Sequence, residues 1–212
     1  MTDDVNFTNR AKFLARRAGR QSTSFYRSEV TTARTGEEFV DALISASRRG
    51  PISNLVIYGH AHSSALYMME DRGFYVSVGT VAKHTHLAAG NEAERISHLR
   101  AIGARDLTDL EQLVRRGEVS FANGAIVVFA GCAVAGKRTI VPQNIAWQIA
   151  RIANATVIAS LGVTDQSMAS GANFRNNEYS RGSWVRFTAE VRPENLKVKA
   201  IDVLKHLRAN SG

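Results

Sequence analysis

Three apolar runs divide the chain, and each of them leads into glycine. The runs cover residues 54–60, 125–130 and 155–160, with glycine at Gly59, Gly131 and Gly162. A short apolar run bounded by turn residues is typical of a strand that is buried on both faces of a parallel sheet. We therefore predict an α/β fold with a mainly parallel central sheet, in which these three runs are strands.

Helix-initiating motifs occur between the predicted strands. Residues 35–38 (Thr-Gly-Glu-Glu) and 108–111 (Thr-Asp-Leu-Glu) both match a capping box, in which a hydroxyl and a carboxylate each accept a free amide of the first turn. These boxes predict helices over 36–49 and 108–116. A third helix, over 145–153, has isoleucines at core-facing spacing and precedes the strand at 155–160.

The remaining segments have weaker patterns. Imperfect alternation predicts edge strands over 25–33 and 183–191 and a hairpin over 64–78. Helical spacing of apolar residues predicts a final helix over 198–207. Residues 1–24 are polar and basic, and we treat them as an N-terminal extension with a mobile linker at 19–24. Residues 25–212 are predicted to form one α/β domain.

The composition is that of an ordinary globular protein. Of the 212 residues, 44% are hydrophobic and 22% are charged. No stretch approaches the roughly 20 apolar residues that cross a bilayer, and the first residues lack the pattern of a signal peptide. We therefore expect a cytoplasmic protein with no membrane partner. The single cysteine excludes an internal disulfide.

Charge and aromatic content bear on nucleic acid as a partner. The formal net charge is +8, but the basic residues form scattered pairs rather than one long run. Aromatic residues make up 8% of the chain and do not cluster with basic ones into a stacking platform. We interpret the basic pairs as a solvated surface and do not expect nucleic acid to be a partner.

Two of the predicted strands carry groups that suggest nucleophilic chemistry. His60 follows one strand and Cys132 follows another, and the carboxyl ends of parallel strands meet at one edge of a sheet. A thiolate attacks carbonyl carbon well but needs a nearby base, and imidazole, with an unperturbed pKa of about 6.5, both accepts and returns a proton. The backbone amides of Ala61 and Cys132 are placed to bind a developing oxyanion. Gly59 and Gly131 leave room for a substrate backbone.

These segments resemble the caspase-like superfamily of cysteine peptidases. The resemblance lies in Leu55-Val-Ile-Tyr-Gly-His60 and Ile126-Val-Val-Phe-Ala-Gly-Cys132, which match the family's two strand ends in order and spacing, and it covers about residues 30–190. It implies a three-layer sandwich, His60 as general base and Cys132 as nucleophile. It also implies an endopeptidase that needs no cofactor and takes a polypeptide substrate. Relatives act as regulators or as toxins, so an inhibitor or delivery protein is a further expected partner.

The chain departs from the family pattern at two positions. The glycine that follows the family's histidine is Ala61 here, and the acidic residue found two positions before many of the cysteines is Ala130. The second departure weakens any expectation of cleavage after arginine or lysine. Ser160, Asp165 and Arg138 are candidate substrate-binding residues at the same edge, Asp165 as a substitute carboxylate and Arg138 as a partner for an acidic side chain. The 79–105 and 166–182 stretches are predicted to shape or gate the cleft.

Three alternatives remain open. His62 lies on the same side of an extended segment as His60 and is a rival base. The pairs His60-Ala-His62 and His84-Thr-His86 suit zinc, which favours a zinc-dependent hydrolase, although no Asp-x-His motif precedes them. A buried cysteine is also common in protein cores, and the third alternative is a caspase-like domain that binds without catalysing a reaction.

Overall fold

The computed structural model describes residues 2–21, 28–68, 71–84, 90–136, 143–165, 177–190 and 192–207. Its helices are α1 (Thr2–Gln21), α2 (Gly36–Ser47), α3 (Val78–His84), α4 (Glu92–Ala101), α5 (Leu107–Arg115), α6 (Ile145–Ala153) and α7 (Val203–His206). Its strands are β1 (Ile52–Tyr58), β2 (Ala61–His62), β3 (Ala65–Leu66), β4 (Phe74–Tyr75), β5 (Arg105–Asp106), β6 (Phe121–Ala130), β7 (Thr156–Ser160), β8 (Thr164–Asp165), β9 (Asn177–Ser180), β10 (Trp184–Phe187), β11 (Glu194–Asn195) and β12 (Ala200–Asp202). None of the described helices is both long and apolar enough to cross a membrane.

The three apolar runs form neighbouring strands of one sheet, as predicted. The strand order is β1-β6-β7-β10-β11, and β1, β6 and β7 are parallel. β10 and β11 continue the sheet in antiparallel pairing. Tyr58 lies opposite Ala130, and Phe129 lies opposite Ala159, so the three parallel strands end at one common edge.

Side chains alternate across this sheet and build a core on each face. Val127, Val157 and Val185 face a cluster that includes buried residues of α2, α5 and α6. The intervening positions, Val128 and Ile158 among them, face a second cluster that contains α1 and α7 residues. Because helices cover both faces, the sheet is the middle layer of three. The mixed α/β class predicted from the sequence is confirmed.

The helices α2 and α5 were predicted correctly, but their caps differ in detail. The N-cap of α5 is Asp106, whose carboxylate accepts the amides of Thr108 and Asp109, while the Asp109 carboxylate accepts the Asp106 amide. The capping box is therefore two residues earlier than the predicted one at 108–111. In α2 the Thr35 hydroxyl accepts the Glu38 amide as predicted, but the Glu38 carboxylate accepts the amide of Arg34.

The predictions for the chain ends and edges were less accurate. Within the described part of 25–33, residues 28–33 form no strand. β10 is not an edge, because β11 pairs along its other side. The predicted helix over 198–207 is a strand, β12, followed by the single turn α7. At the N-terminus, α1 packs the buried Leu14 against the sheet, so the described part of the predicted extension belongs to the second helical layer.

A second, smaller sheet follows β1. It has the order β2-β3-β4-β5, and the β3–β4 pair confirms the predicted hairpin. The segment 79–105, which is predicted to shape or gate the cleft, supplies most of α3 and all of α4. These two helices bury Leu99, Val78 and Ala82 against Tyr75 of β4. The small sheet therefore has its own core beside the carboxyl end of β1.

Candidate functional site

The carboxyl ends of β1 and β6 bring the two predicted catalytic residues to one edge. Gly59 and Gly131 follow the paired positions Tyr58 and Ala130, and His60 and Cys132 come next. A Cβ atom on Gly131 would lie 2.7 Å from the Cβ of Ala61 and 2.9 Å from the Gly59 carbonyl oxygen. The two chain segments therefore pass in direct contact. Gly131 is therefore needed for this crossing.

A network of buried hydrogen bonds holds the turn after Cys132, residues 131–136, which we call the Cys132 turn. The Ala133 amide donates to the Gly162 carbonyl and the Ala135 amide to the Ser160 carbonyl, both at 2.8 Å. The hydroxyl of Ser160, which is fully buried, donates its proton to the carbonyl of Gly131 at 2.5 Å, and its oxygen lies 3.1 Å from the carbonyl oxygen of Gly162. Ala133 has a left-handed φ of 51°, a conformation that costs an L-residue roughly 1–2 kcal/mol and that these bonds maintain.

The start of α6 fixes the Cys132 turn and the segment after His60 together. Asn144 is fully buried, and its side-chain amide donates to the carbonyls of Gly136 at 2.6 Å and Val134 at 3.3 Å. Its side-chain oxygen caps α6 by accepting the amide of Trp147 at 3.0 Å. The next amide, that of Ile145, donates to the carbonyl of Ser63 at 2.7 Å. One helix terminus therefore contacts both sides of the site.

The sulfur of Cys132 has a hydroxyl as its neighbour. The residue is half-buried, and its Sγ lies 3.6 Å from Oγ1 of Thr164, which is 5% exposed. Within the described residues this is the hydrogen-bond contact of the sulfur, and it has none to His60 or His62. The thiol therefore lies at the edge of the sheet and is not sealed in the core. Among the described residues, it forms no hydrogen bond with an imidazole.

The two histidines lie on the same side of their extended segment, as predicted. Ala61, between them, is buried in the core, whereas His60 is exposed and His62 is half-buried. The His60 carbonyl accepts the Tyr67 amide at 2.8 Å. His62 Nδ1 lies 3.3 Å from the hydroxyl of Ser63 and 3.4 Å from that of Ser64. The half-buried imidazole of His62 is thus held by neighbouring hydroxyls, and the backbone that leads into the exposed His60 passes the Cys132 turn at Gly59.

The two backbone amides predicted to bind an oxyanion are both unused by the neighbouring strands. Because His60 and Tyr67 form a hydrogen-bonded pair of an antiparallel ladder, the next pair, Ala61 and Leu66, is a non-hydrogen-bonded one. β3 therefore does not accept the Ala61 amide. The amide of Cys132 has no acceptor among the described residues. The role of these two amides in binding an oxyanion stays a prediction.

The other predicted site residues differ in where they lie. Ser160 is behind the Cys132 turn, where its hydroxyl donates to the Gly131 carbonyl. Asp165 is in β8, opposite Tyr179. The structure does not describe its side chain, Arg138 or the loop at 166–176. Thr164, which sequence reasoning missed, lies one position before Asp165. Its signal was a hydroxyl residue in the first turn after a buried strand at this edge.

The metal-site alternative depends partly on residues that are not described. In the described part of the chain, no group of three or more His, Cys, Asp or Glu side chains is arranged to hold a metal ion. His86, and the side chain of His84, lie outside that part.

Comparison of the chain with models of protein families, with curated proteins and with solved structures gives no match. The function therefore has to be inferred from the geometry of the site.

Proposed function

We propose that the chain is a cysteine endopeptidase of the caspase-like kind, with Cys132 as nucleophile and His60 as general base. The observation that carries the proposal is the pairing of β1 with β6, which brings the residues two positions after each strand to the same edge of the sheet. The half-buried thiol and the Cys132 amide without an acceptor support the same reading. His60 is favoured over His62 because it occupies the position that corresponds to Cys132 in the register.

The reaction would follow the chemistry of acyl transfer. The thiolate attacks the carbonyl carbon of the scissile peptide bond, and the amides of Cys132 and Ala61 donate to the oxygen that becomes negative. The His60 imidazolium then gives its proton to the leaving amine, and water hydrolyses the acyl-enzyme with the imidazole as base. Catalytic hydrogen bonds are often long or unformed before substrate binds, so a sulfur bonded to Thr164 is compatible with this mechanism.

Two exposed hydrophobic side chains belong to the segments that adjoin the site. Tyr67, whose amide is bonded to the His60 carbonyl, is 54% exposed, and Val163, next to Thr164, is 49% exposed. Large hydrophobic side chains that remain exposed at a polar site offer contact area for a ligand. They support a polypeptide substrate with apolar residues near the cleaved bond. A regulatory or toxin-type role, an inhibitor or delivery partner, and a cytoplasmic location stay predictions.

The proposal is tested by comparing the wild-type chain with Cys132→Ala, His60→Ala and His62→Ala on a diverse peptide library, with mass spectrometry of the products. We expect Cys132→Ala to abolish cleavage, because no other thiol is present. We expect His60→Ala to lower the rate on the order of 10²–10⁴-fold. His62→Ala is the matched control and should retain activity within about tenfold. Equal cleavage by wild type and Cys132→Ala would remove the cysteine mechanism, and a larger loss for His62 than for His60 would exchange their roles.

A further inference from the structure

The hydroxyl of Thr164 has one hydrogen-bond partner in the described part of the chain, and that partner is the Cys132 sulfur. The distance from Oγ1 to Sγ is 3.6 Å, and Thr164 is 5% exposed, so water does not replace this contact easily. Threonine is β-branched, and its side chain is therefore restricted about χ1. The hydroxyl is thus a buried polar group whose position is set by its backbone.

The strength of this contact depends on the protonation state of the sulfur. A neutral thiol is a weak acceptor, whereas a hydrogen bond to an ionised group is shorter and roughly twice as strong as a neutral one. A buried hydroxyl that lacks a good acceptor costs free energy. The Thr164 hydroxyl is therefore better hydrogen-bonded when Cys132 is a thiolate, because the thiolate sulfur accepts a charge-assisted hydrogen bond from the hydroxyl.

The backbone around Thr164 is fixed to the same turn that carries the sulfur. Gly162, two residues earlier, accepts the Ala133 amide at 2.8 Å, and β8 pairs Thr164 with Ser180 of β9. Thr164 therefore moves with the Cys132 turn. Its location, on the β7 side of Cys132, leaves the opposite side of the sulfur to the segment that carries His60.

We infer that Thr164 is a positioning residue, whose hydroxyl orients the Cys132 sulfur and stabilises its thiolate form. This inference rests on the proposed function, in which that thiolate is the nucleophile. It adds a third side chain to the site: His60 accepts and returns the proton, whereas Thr164 holds the sulfur after the proton has left. Thr164 does not touch the substrate.

The experiment compares Thr164→Val with Thr164→Ser by the rate at which iodoacetamide alkylates Cys132 in the folded protein. In this reaction the thiolate sulfur forms a bond to the reagent's methylene carbon, iodide leaves, and the thiol proton goes to solvent. Because Cys132 is the only cysteine of the chain, the mass increase reports on this site alone. Valine keeps the shape of threonine and removes the hydroxyl, while serine keeps the hydroxyl and removes the methyl group. The titratable and charged side chains of the neighbouring segments, His60, His62 and Arg181, are the same in both variants, so they do not contribute to a difference in rate.

We expect Thr164→Val to slow alkylation at neutral pH by about tenfold, which corresponds to the loss of one charge-assisted hydrogen bond. Thr164→Ser should stay within about twofold of wild type. A packing role predicts the reverse order, with the serine variant the more affected. The inference would be overturned if Thr164→Val were alkylated at the wild-type rate or faster. It would also be overturned if both variants were slowed equally. If Thr164→Val does not fold, a slow serine variant still overturns it.

The same proteins separate this inference from the proposed function. Thiol alkylation needs no peptide substrate. If the valine variant is alkylated slowly and the serine variant normally, but the chain cleaves no peptide, Thr164 stays the positioning residue of a reactive thiol and the peptidase assignment is removed. Cleavage that depends on Cys132 but is equal in all Thr164 variants, with equal alkylation rates, would keep the peptidase and remove the role of Thr164.

Discussion

The Cys132 turn and the segment 59–64 leave the same edge of the sheet, but they are held in different ways. The turn is fixed by buried side chains, Ser160 and Asn144, which bond its carbonyl groups. The segment is held mainly through its backbone, in a two-residue pairing with β3 and a bond from α6, and His60 at its start is exposed. The nucleophile needs a fixed position, whereas a base has to serve two reacting atoms in turn. The difference therefore fits the roles proposed for the two sides.

The largest expected effect is that of Asn144→Ala. This change removes the N-cap of α6 and leaves two carbonyls of the Cys132 turn without their donor. Loss of a cap costs about 1 kcal/mol, and each buried group left unsatisfied adds about 1–3 kcal/mol. We expect the free energy of unfolding to fall by about 3 kcal/mol, measured by urea denaturation. Gln143→Ala, at the exposed neighbouring position, is the control and should change it by less than about 0.5 kcal/mol. Equal effects would show that the turn does not depend on this side chain.

A smaller effect is expected at the crossing of the two segments. Gly59 and Gly131 occupy equivalent positions after their strands, but a Cβ on Gly131 would meet atoms at 2.7 and 2.9 Å, while one on Gly59 would have no atom within 4 Å. Gly131→Ala should therefore destabilise the protein by about 2 kcal/mol through overpacking, and Gly59→Ala should be nearly neutral. Thermal unfolding of the two variants measures this directly. A neutral Gly131→Ala would mean that the crossing relaxes without cost.

The smallest effect compares one serine from each side. Ser160 is fully buried and donates to the Gly131 carbonyl of the Cys132 turn, whereas Ser64 is half-buried and makes a 3.4 Å contact with His62. We expect Ser160→Ala to lower the free energy of unfolding by about 1–2 kcal/mol and Ser64→Ala by less than about 0.5 kcal/mol. If guanidinium denaturation gives similar losses for both, the two sides are held equally firmly and the comparison fails.

The sequence predicted the centre of the fold better than its margins. The strands β1, β6 and β7 were recognised because an unbroken apolar run has few other structures available. Burial on both faces, which the runs predict, holds for the last residues of β6 and for most of β7, but β1 is at the end of the sheet order and is only partly buried after Ile52. Helix α6 was recognised from its isoleucines, and it ends at Asn154, which adopts the left-handed conformation. The cap of α5 was misplaced because Thr108 and Asp106 both suit a helix start, and in the structure the helix begins at the buried Leu107 with Asp106 as its cap. The β12 strand was missed because its apolar residues also fit helical spacing.

For the candidate site, the sequence predicted which side chains would share an edge but not which atoms would touch. The placement of His60 and Cys132 at one edge follows from the parallel strands, since each residue lies two positions after a predicted strand. The contact between Cys132 and Thr164 depends on how the chain turns after β7, which no local pattern encodes. Ser160 is similar: a serine at a strand end suits a substrate contact or a buried bond, and only its burial shows that the hydroxyl bonds to the Cys132 turn.

The second face of the sheet is covered by residues from distant parts of the chain. Leu14 of α1 packs with Ile201 and Val203, near the other end of the described chain, against Val128 and Ile158. Contacts between such widely separated positions form late in folding, because the loop between them has to close first. During synthesis, α1 would leave the ribosome long before its partners exist. The sheet that carries Cys132 would therefore keep one apolar face uncovered until residues 201–203 have been synthesised.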